Sequence, residues 1–269
     1  MIKIPKFEID DLKINYKVSG KGDLLVLIQG LGHKLTGWQL QVPFFRKRKM
    51  KVISYDNIGV GKSSRPDRPY SMKLFVKILK GLLKHLGVES KLHLVGISMG
   101  GMIAQHYALT YPDEVKTLSL LATTAKVDVK PLIDNIKMMK DFDEEKRMNS
   151  LLPVLFSRSF VKKIKQDPLL YEMLKDDFLT DPTRIIDYIN QSKAIEKHDT
   201  VDQLSEIKVP TLLIVGTKDI LLPKNHSKLL HEKIPNSRLE IIEGAGHALS
   251  IEVADKVNNL IWDFIKNNK

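Results

Sequence analysis

Ser98 lies between Gly96 and Gly100 in Val95-Gly96-Ile97-Ser98-Met99-Gly100-Gly101. The apolar run Leu92-His93-Leu94-Val95 precedes this stretch, and the helix-forming run Met102–Leu109 follows it. A strand that turns abruptly into a helix across Gly-x-Ser-x-Gly puts the serine on a sharp bend and points a helix N-terminus at its hydroxyl. The chemistry this suits is nucleophilic attack. A serine hydroxyl is protonated at neutral pH, so it needs a base, and the base needs a group to orient it. The chain offers one candidate for each role. Leu212-Leu213-Ile214-Val215-Gly216-Thr217-Lys218-Asp219 reads as a strand ending in an acid, and Leu239–Ile242 leads into the loop Glu243-Gly244-Ala245-Gly246-His247. Both would leave the carboxyl ends of parallel strands, the edge of an open α/β sheet where sites form.

Other residues compete for these roles. Asp128 is the nearest acid after the apolar run Leu118–Ala122, but Thr123 and Thr124 occupy the strand exit, which favours Asp219. Gly59-Val60-Gly61-Lys62-Ser63 has the look of a phosphate loop, yet that motif requires a glycine where Asp56 stands. His85, His93, His106, His198, His226 and His231 have no metal-ligand spacing, so no metal is expected. His106 reads as packed on the helix after Ser98, and Trp38 as the anchor of its own helix. His33 reads first as a solvent-facing loop residue, with substrate contact as the alternative.

Elements that could position these groups are legible in the apolar pattern. Phe7–Val18 alternates around Asp10-Asp11 as an antiparallel hairpin would. Leu24–Ile28, Val52–Tyr55, Leu92–Val95, Leu118–Ala122, Leu212–Val215 and Leu239–Ile242 are short apolar runs separated by helical stretches. Such runs predict a mostly parallel sheet covered on both faces. The expected helices are Trp38–Arg48, Ser71–Leu86, Met99–Tyr111, Lys224–Ile234 and Ile251–Lys266. Between Ala122 and Val209 there is no strand-like run, only four expected helices over Asp128–Asp141, Glu144–Phe156, Asp167–Leu179 and Pro182–Glu196. This predicts a helical cap at residues 125–205, inserted between core segments 1–124 and 206–269. Met138, Leu152 and Phe156 are among the cap residues that could line an apolar substrate pocket; the alternative is that they hold the cap together.

Composition excludes several classes. The chain has 269 residues and no cysteine, which removes disulfides, thiolate metal sites and cysteine nucleophiles. Its 43 basic residues outnumber its 32 acidic ones, giving a formal charge of +11, but 35 of the 43 are lysines. Scattered lysine is mostly solvated surface, whereas nucleic-acid and phosphate readers lean on arginine forks, so no nucleic-acid partner is expected. The dense cluster Arg46-Lys47-Arg48-Lys49-Met50-Lys51 reads as a basic helix end. Met1-Ile2-Lys3-Ile4-Pro5-Lys6 has no apolar stretch or cleavage site, and no run approaches the roughly 18 apolar residues of a membrane span. The expectation is a cytoplasmic protein with no membrane partner; the sequence leaves the oligomeric state open.

Taken together, these segments resemble the α/β-hydrolase fold family over nearly the whole chain. The resemblance rests on Gln29-Gly30-Leu31-Gly32, Asp56-Asn57-Ile58-Gly59-Val60-Gly61-Lys62-Ser63, the Ser98 bend, Val209-Pro210-Thr211 before the Asp219 strand, and Gly244-Ala245-Gly246-His247. It implies an α/β-hydrolase fold with Ser98 as nucleophile, His247 as base and then acid, and Asp219 orienting the imidazole, in the order that family uses. It also implies an oxyanion hole from the main-chain N–H groups of Leu31 and Met99, and no cofactor. Two positions depart from the family pattern, Gln29 where a histidine is usual and Ile58 where an arginine is usual. A serine nucleophile disfavours the dehalogenase and epoxide-hydrolase branches, which use an aspartate there. The esterase and enol-lactonase branch is the nearest likeness, with a small-molecule ester or lactone as substrate. Thioesterase, C–C hydrolase, cofactor-free haloperoxidase or perhydrolase, and a non-catalytic ligand-binding pseudo-hydrolase are the alternatives.

Overall fold

The computed structural model describes residues 6–268, so the opening residues read for a leader, 1–5, lie outside the described residues. Eight strands form one sheet: β1 (Lys6–Ile9), β2 (Leu12–Ser19), β3 (Asp23–Ile28), β4 (Met50–Tyr55), β5 (Leu92–Ile97), β6 (Val115–Leu121), β7 (Thr211–Gly216) and β8 (Ser237–Ile242). Their order is β1-β2-β4-β3-β5-β6-β7-β8. The β1–β2 and β2–β4 pairs are antiparallel, and every other pair is parallel. The hairpin turns at Asp10, whose φ of 52° lies in the left-handed region that aspartate tolerates. β5 and β7 are buried on both faces along their whole length, which is why their sequences run apolar without alternation. β8 is an edge strand and half exposed, so its polar residues Arg238 and Glu240 are accommodated.

Helices cover both faces of the sheet. One face packs against α2 (Met72–His85) and α3 (Met99–Thr110), and the other against α1 (Gln41–Lys47) and α11 (Ala254–Asn267). Ser71 caps α2, its Oγ accepting from Leu74 N–H at 3.2 Å, and the helix buries Phe75, Leu79 and Leu82 at helical spacing. α9 (Asn225–Lys233) lies between β7 and β8, and the short α10 (Leu249–Glu252) follows β8. The helix expected over Trp38–Arg48 divides into a 3-10 turn, Leu35–Trp38, and α1, with Trp38 fully buried. The helix expected from Ile251 divides at Val253, whose φ of −133° breaks it into α10 and α11. In the basic cluster, Arg46 and Lys47 sit in the last turn of α1, and the Arg48 guanidinium stacks 3.4 Å over the Phe44 ring.

Between β6 and β7 the chain runs through α4 (Lys130–Met138), α5 (Glu144–Leu155), α6 (Arg158–Gln166), α7 (Pro168–Leu179) and α8 (Ile185–Glu196). α6 was not among the expected helices, because its buried face is only Phe160 and Ile164, one turn apart in an otherwise basic segment. Ser157 starts it, its Oγ accepting from Phe160 N–H at 3.3 Å. The insertion has its own apolar cluster of Leu152, Leu155, Phe156, Phe160, Ile164 and Leu174, against which Leu221, Ala248 and Ile251 of the core also pack. No described helix is long and apolar enough to cross a membrane.

Candidate active site

The Ser98 bend arises from two close backbone approaches. A Cβ on Gly96 would stand 2.2 Å from Gly100 O, and one on Gly100 would stand 2.2 Å from Ile28 O, so neither position accepts a side chain while the turn keeps this shape. Ser98 takes φ 54° and ψ −122°, a strained conformation for any residue but glycine. Its main chain is fully tied down. Ser98 N–H donates to Leu121 O at 2.9 Å, while Ser98 O accepts from Gly101 N–H at 2.9 Å and from Thr123 Oγ at 2.7 Å. Met99 opens α3, where the first N–H groups of a helix have no intrahelical acceptor. Leu31 follows Gly30, and a Cβ on Gly30 would lie 3.1 Å from Ser98 Cβ and 3.7 Å from Ser98 Oγ. The β3 exit and the Ser98 bend are therefore in direct contact.

The acid and the base come from the neighbouring strand exits. β7 ends at Gly216 and leads to Asp219; β8 ends at Ile242 and leads to His247. The two loops are stitched together by Lys218 N–H to Ala245 O at 2.9 Å and by Gly244 N–H to Thr217 Oγ1 at 2.9 Å. Asp219 Oδ1 accepts from the N–H groups of Leu221 and Leu222 at 3.0 and 2.8 Å. Its Oδ2 lies 2.8 Å from His247 Nδ1, and both side chains are almost wholly buried. A carboxylate only accepts, so Nδ1 carries the proton and the Nε2 lone pair is left for another donor. Ser98 Oγ takes part in no hydrogen bond among the described residues. Catalytic contacts of this kind are often long until substrate is bound.

The remaining expected site residues divide. His33 is not a solvent-facing loop residue. Its ring is half-buried, 5.8 Å from the Phe178 ring and edge-on to it. Burial holds its pKa below the usual histidine value; the Asp177 carboxylate opposes this, and a charged His247 nearby adds to it. Leu152 and Phe156 are buried in the insertion's own cluster. The Phe156 main chain nonetheless meets the base's loop, since a Cβ on Gly246 would stand 2.8 Å from Phe156 C. Met138 does not belong to a pocket: it is 67% exposed. α4 buries Ile133 and Ile136, and a residue two positions beyond Ile136 points to the opposite side of the helix. The two departures from the family pattern are both buried. Gln29 Oε1 accepts from Gly30 N–H at 3.3 Å, and Ile58 lies in the apolar core.

Two positions missed in the sequence organise the site. Glu252 Oε2 accepts from Gly246 N–H at 2.9 Å and from Ser157 N–H at 3.2 Å, and its Oε1 accepts from the Ser157 hydroxyl. One carboxylate thus binds the loop of His247 to the start of α6. Its only signal in the sequence is an acid shortly after the glycine–histidine loop. Gln191, on α8, is fully buried and bonded to both the β3 and β4 exits. Nothing local marks it. Among the described residues no group of three or more His, Asp or Glu side chains is arranged to hold a metal ion.

Known proteins are similar to this chain along most of its length. A family model described as alpha/beta hydrolase fold matches residues 23–254. A 2-hydroxy-6-oxononadienedioate/2-hydroxy-6-oxononatrienedioate hydrolase of Paraburkholderia phymatum is 30% identical, over 95% of this chain and 91% of its own. A 3-oxoadipate enol-lactonase of Acinetobacter baylyi is 28% identical, over 95% of this chain and 94% of its own. Among solved structures, the enol-lactonase of Burkholderia xenovorans superposes with a TM-score of 0.87 at 25% identity, covering 97% of this chain and 100% of that one.

Proposed function

Because the chain belongs to the alpha/beta hydrolase family, we propose that it is a serine hydrolase that cleaves a carboxylic ester or lactone through an acyl-enzyme on Ser98. The observation that carries this reading is the 2.8 Å bond from His247 Nδ1 to Asp219 Oδ2, at the sheet edge where Ser98 occupies a strained bend. The likeness to two enol-lactonases supports the substrate class.

With Nδ1–H held by Asp219, His247 Nε2 removes the Ser98 proton as Oγ bonds to the substrate carbonyl carbon. The main-chain N–H groups of Leu31 and Met99 stabilise the resulting oxyanion, each contributing about 3 kcal/mol. Collapse of that intermediate breaks the C–O bond, and Nε2 passes its proton to the departing oxygen. In a lactone that oxygen stays tethered to the acyl group. Water then gives a proton to Nε2 and attacks the acyl carbon, releasing the carboxylic acid and restoring Ser98. Residues 125–205 act as a cap on core segments 1–124 and 206–269. His33, which lies close to His247, faces the substrate, and the Phe156 main chain backs the loop of His247.

The relative named for 2-hydroxy-6-oxononadienedioate hydrolysis supports a second reading, in which the same machinery acts on a dienedioate of that kind. The test is a panel of p-nitrophenyl esters of increasing acyl length, enol-lactones and such a dienedioate, run with wild type and Ser98→Ala, alongside fluorophosphonate labelling. Turnover that disappears in Ser98→Ala, with label on Ser98, is the expected outcome. Full turnover by Ser98→Ala overturns the reading, and an unlabelled, inactive wild type favours a binding protein.

A further inference from the structure

The loop that carries the Leu31 N–H is held by the insertion rather than by the sheet alone. His33 N–H donates to Gly30 O at 3.3 Å, closing a four-residue turn with Leu31 and Gly32 at its centre. Gly32 has φ +74°, the conformation a type II turn requires at its third position. Such a turn has a competing form in which the central peptide is flipped, so something must select one orientation. On the core side, Leu35 N–H donates to Asp56 Oδ1 at 2.7 Å, beyond the turn itself.

Gly32 is gripped by α8 and the segment leading into it. Its N–H donates to Gln191 Oε1 at 2.8 Å, and its carbonyl accepts from Thr183 Oγ1 at 2.8 Å. The Tyr188 ring covers the remaining side: a Cβ on Gly32 would stand 1.9 Å from Tyr188 Cε1. Gln191 is itself fixed, because its Nε2 donates to Ile58 O at 2.8 Å on the loop after β4. Gly32, Thr183, Gln191 and Ile58 are buried, so water does not compete for their hydrogen bonds and the amide has one satisfied orientation. The next residues are tied to the insertion as well. Lys34 Nζ donates to the carbonyls of Asp177 and Thr180, and the Thr36 hydroxyl donates to Asp177 Oδ1.

We infer that Gln191 and Thr183 are positioning residues for the oxyanion site. Gln191 holds the Gly32 N–H and Thr183 the Gly32 carbonyl, so the turn keeps the shape that bonds Gly30 O to His33 N–H; that bond orients the Gly30–Leu31 peptide, whose N–H then points at the charge that develops on the substrate. The insertion is therefore part of the catalytic frame at α8. This rests on the proposed role of Ser98 and the Leu31 N–H. Fixing a main-chain donor in advance stabilises the transition state rather than the bound substrate, so its loss shows in kcat.

The experiment is steady-state kinetics on p-nitrophenyl butyrate with Gln191→Leu, Gln191→Glu, Thr183→Val and Ser98→Ala. Gln191→Leu is expected to lower kcat 10- to 100-fold with KM within threefold, and to slow fluorophosphonate labelling of Ser98 in parallel. Thr183→Val is expected to lower kcat about fivefold at unchanged KM. A glutamic acid at 191 reproduces the amide's bonding only when protonated. The kcat of Gln191→Glu relative to wild type should therefore rise as pH falls, a response that loss of packing alone does not give. Wild-type kcat in Gln191→Leu, or a raised KM at constant kcat, overturns the inference while an inactive Ser98→Ala leaves the serine mechanism standing. An active Ser98→Ala removes the mechanism itself. If Gln191→Leu does not fold, Thr183→Val decides: kcat within twofold of wild type overturns the inference.

Discussion

His247 Nδ1 and Asp219 Oδ2 are 2.8 Å apart, and the other oxygen of Asp219 accepts two main-chain N–H groups. The carboxylate is thereby fixed at both ends, and the imidazole has one tautomer that satisfies it. Asp219→Asn preserves the shape but can turn an N–H toward Nδ1, shifting the ring proton to Nε2 where the base is needed. We expect kcat to fall about a thousandfold or more, with the melting temperature little changed. Rates on p-nitrophenyl esters, with circular dichroism as the folding control, decide it; an active Asn variant would point to another acid.

The strain at Ser98 predicts opposite effects on stability and activity. With φ at 54° and ψ at −122°, the side chain is tolerated at a cost of about 1–3 kcal/mol, partly offset in a glycine variant by its more flexible unfolded chain. Ser98→Gly should be about 1 kcal/mol more stable than wild type in urea and inactive. Ser98→Ala keeps the Cβ and should show no such gain. Equal stabilities for the three proteins would argue against stored strain.

Glu252 should matter although it is not proposed to touch substrate. Glu252→Ala leaves Gly246 N–H and Ser157 N–H without their acceptor and frees the loop of His247 from α6. Displacement of a catalytic group by about 1 Å can reduce a rate about 100-fold. We expect a 10- to 100-fold loss in kcat for Glu252→Ala and a smaller loss for Glu252→Gln, which keeps one acceptor oxygen. An unaltered kcat in the alanine variant would show that the loop holds itself.

Stability should fall in mild acid through His198. Its Nε2 bonds to Thr124 O at 2.9 Å and its Nδ1 lies 3.0 Å from His106 Nε2, and burial pushes its pKa down to about 4. In the unfolded chain the value is about 6.5. A lowered folded-state pKa means the unfolded state takes up the proton first, so stability is complete above pH 6.5 and declines as pH falls toward 4. By pH 5 the loss through this group is about 2 kcal/mol. Urea midpoints at pH 7 and pH 5 should separate in wild type and draw together in His198→Gln. Parallel shifts in both proteins would assign the acid sensitivity elsewhere.

The sequence by itself determined the parts of this protein that are local. The Ser98 bend is legible because two glycines, a buried strand and a helix lie within a few residues of one another. Asp219 and His247 are legible because each follows an apolar strand, and parallel strands put their exits on one edge. What the tertiary structure alone decided are bonds between residues far apart in the chain. Gln191 meets Gly32 from 159 positions away, and Glu252 meets Ser157 from 95 positions away. Neither has a repeating pattern, because a single buried polar contact leaves no periodicity. Met138 and His33 show the same limit from the other direction. An apolar residue at a helix end turned out exposed and a loop histidine half-buried, because the packing of the insertion, not the residue type, set which way each side chain faces.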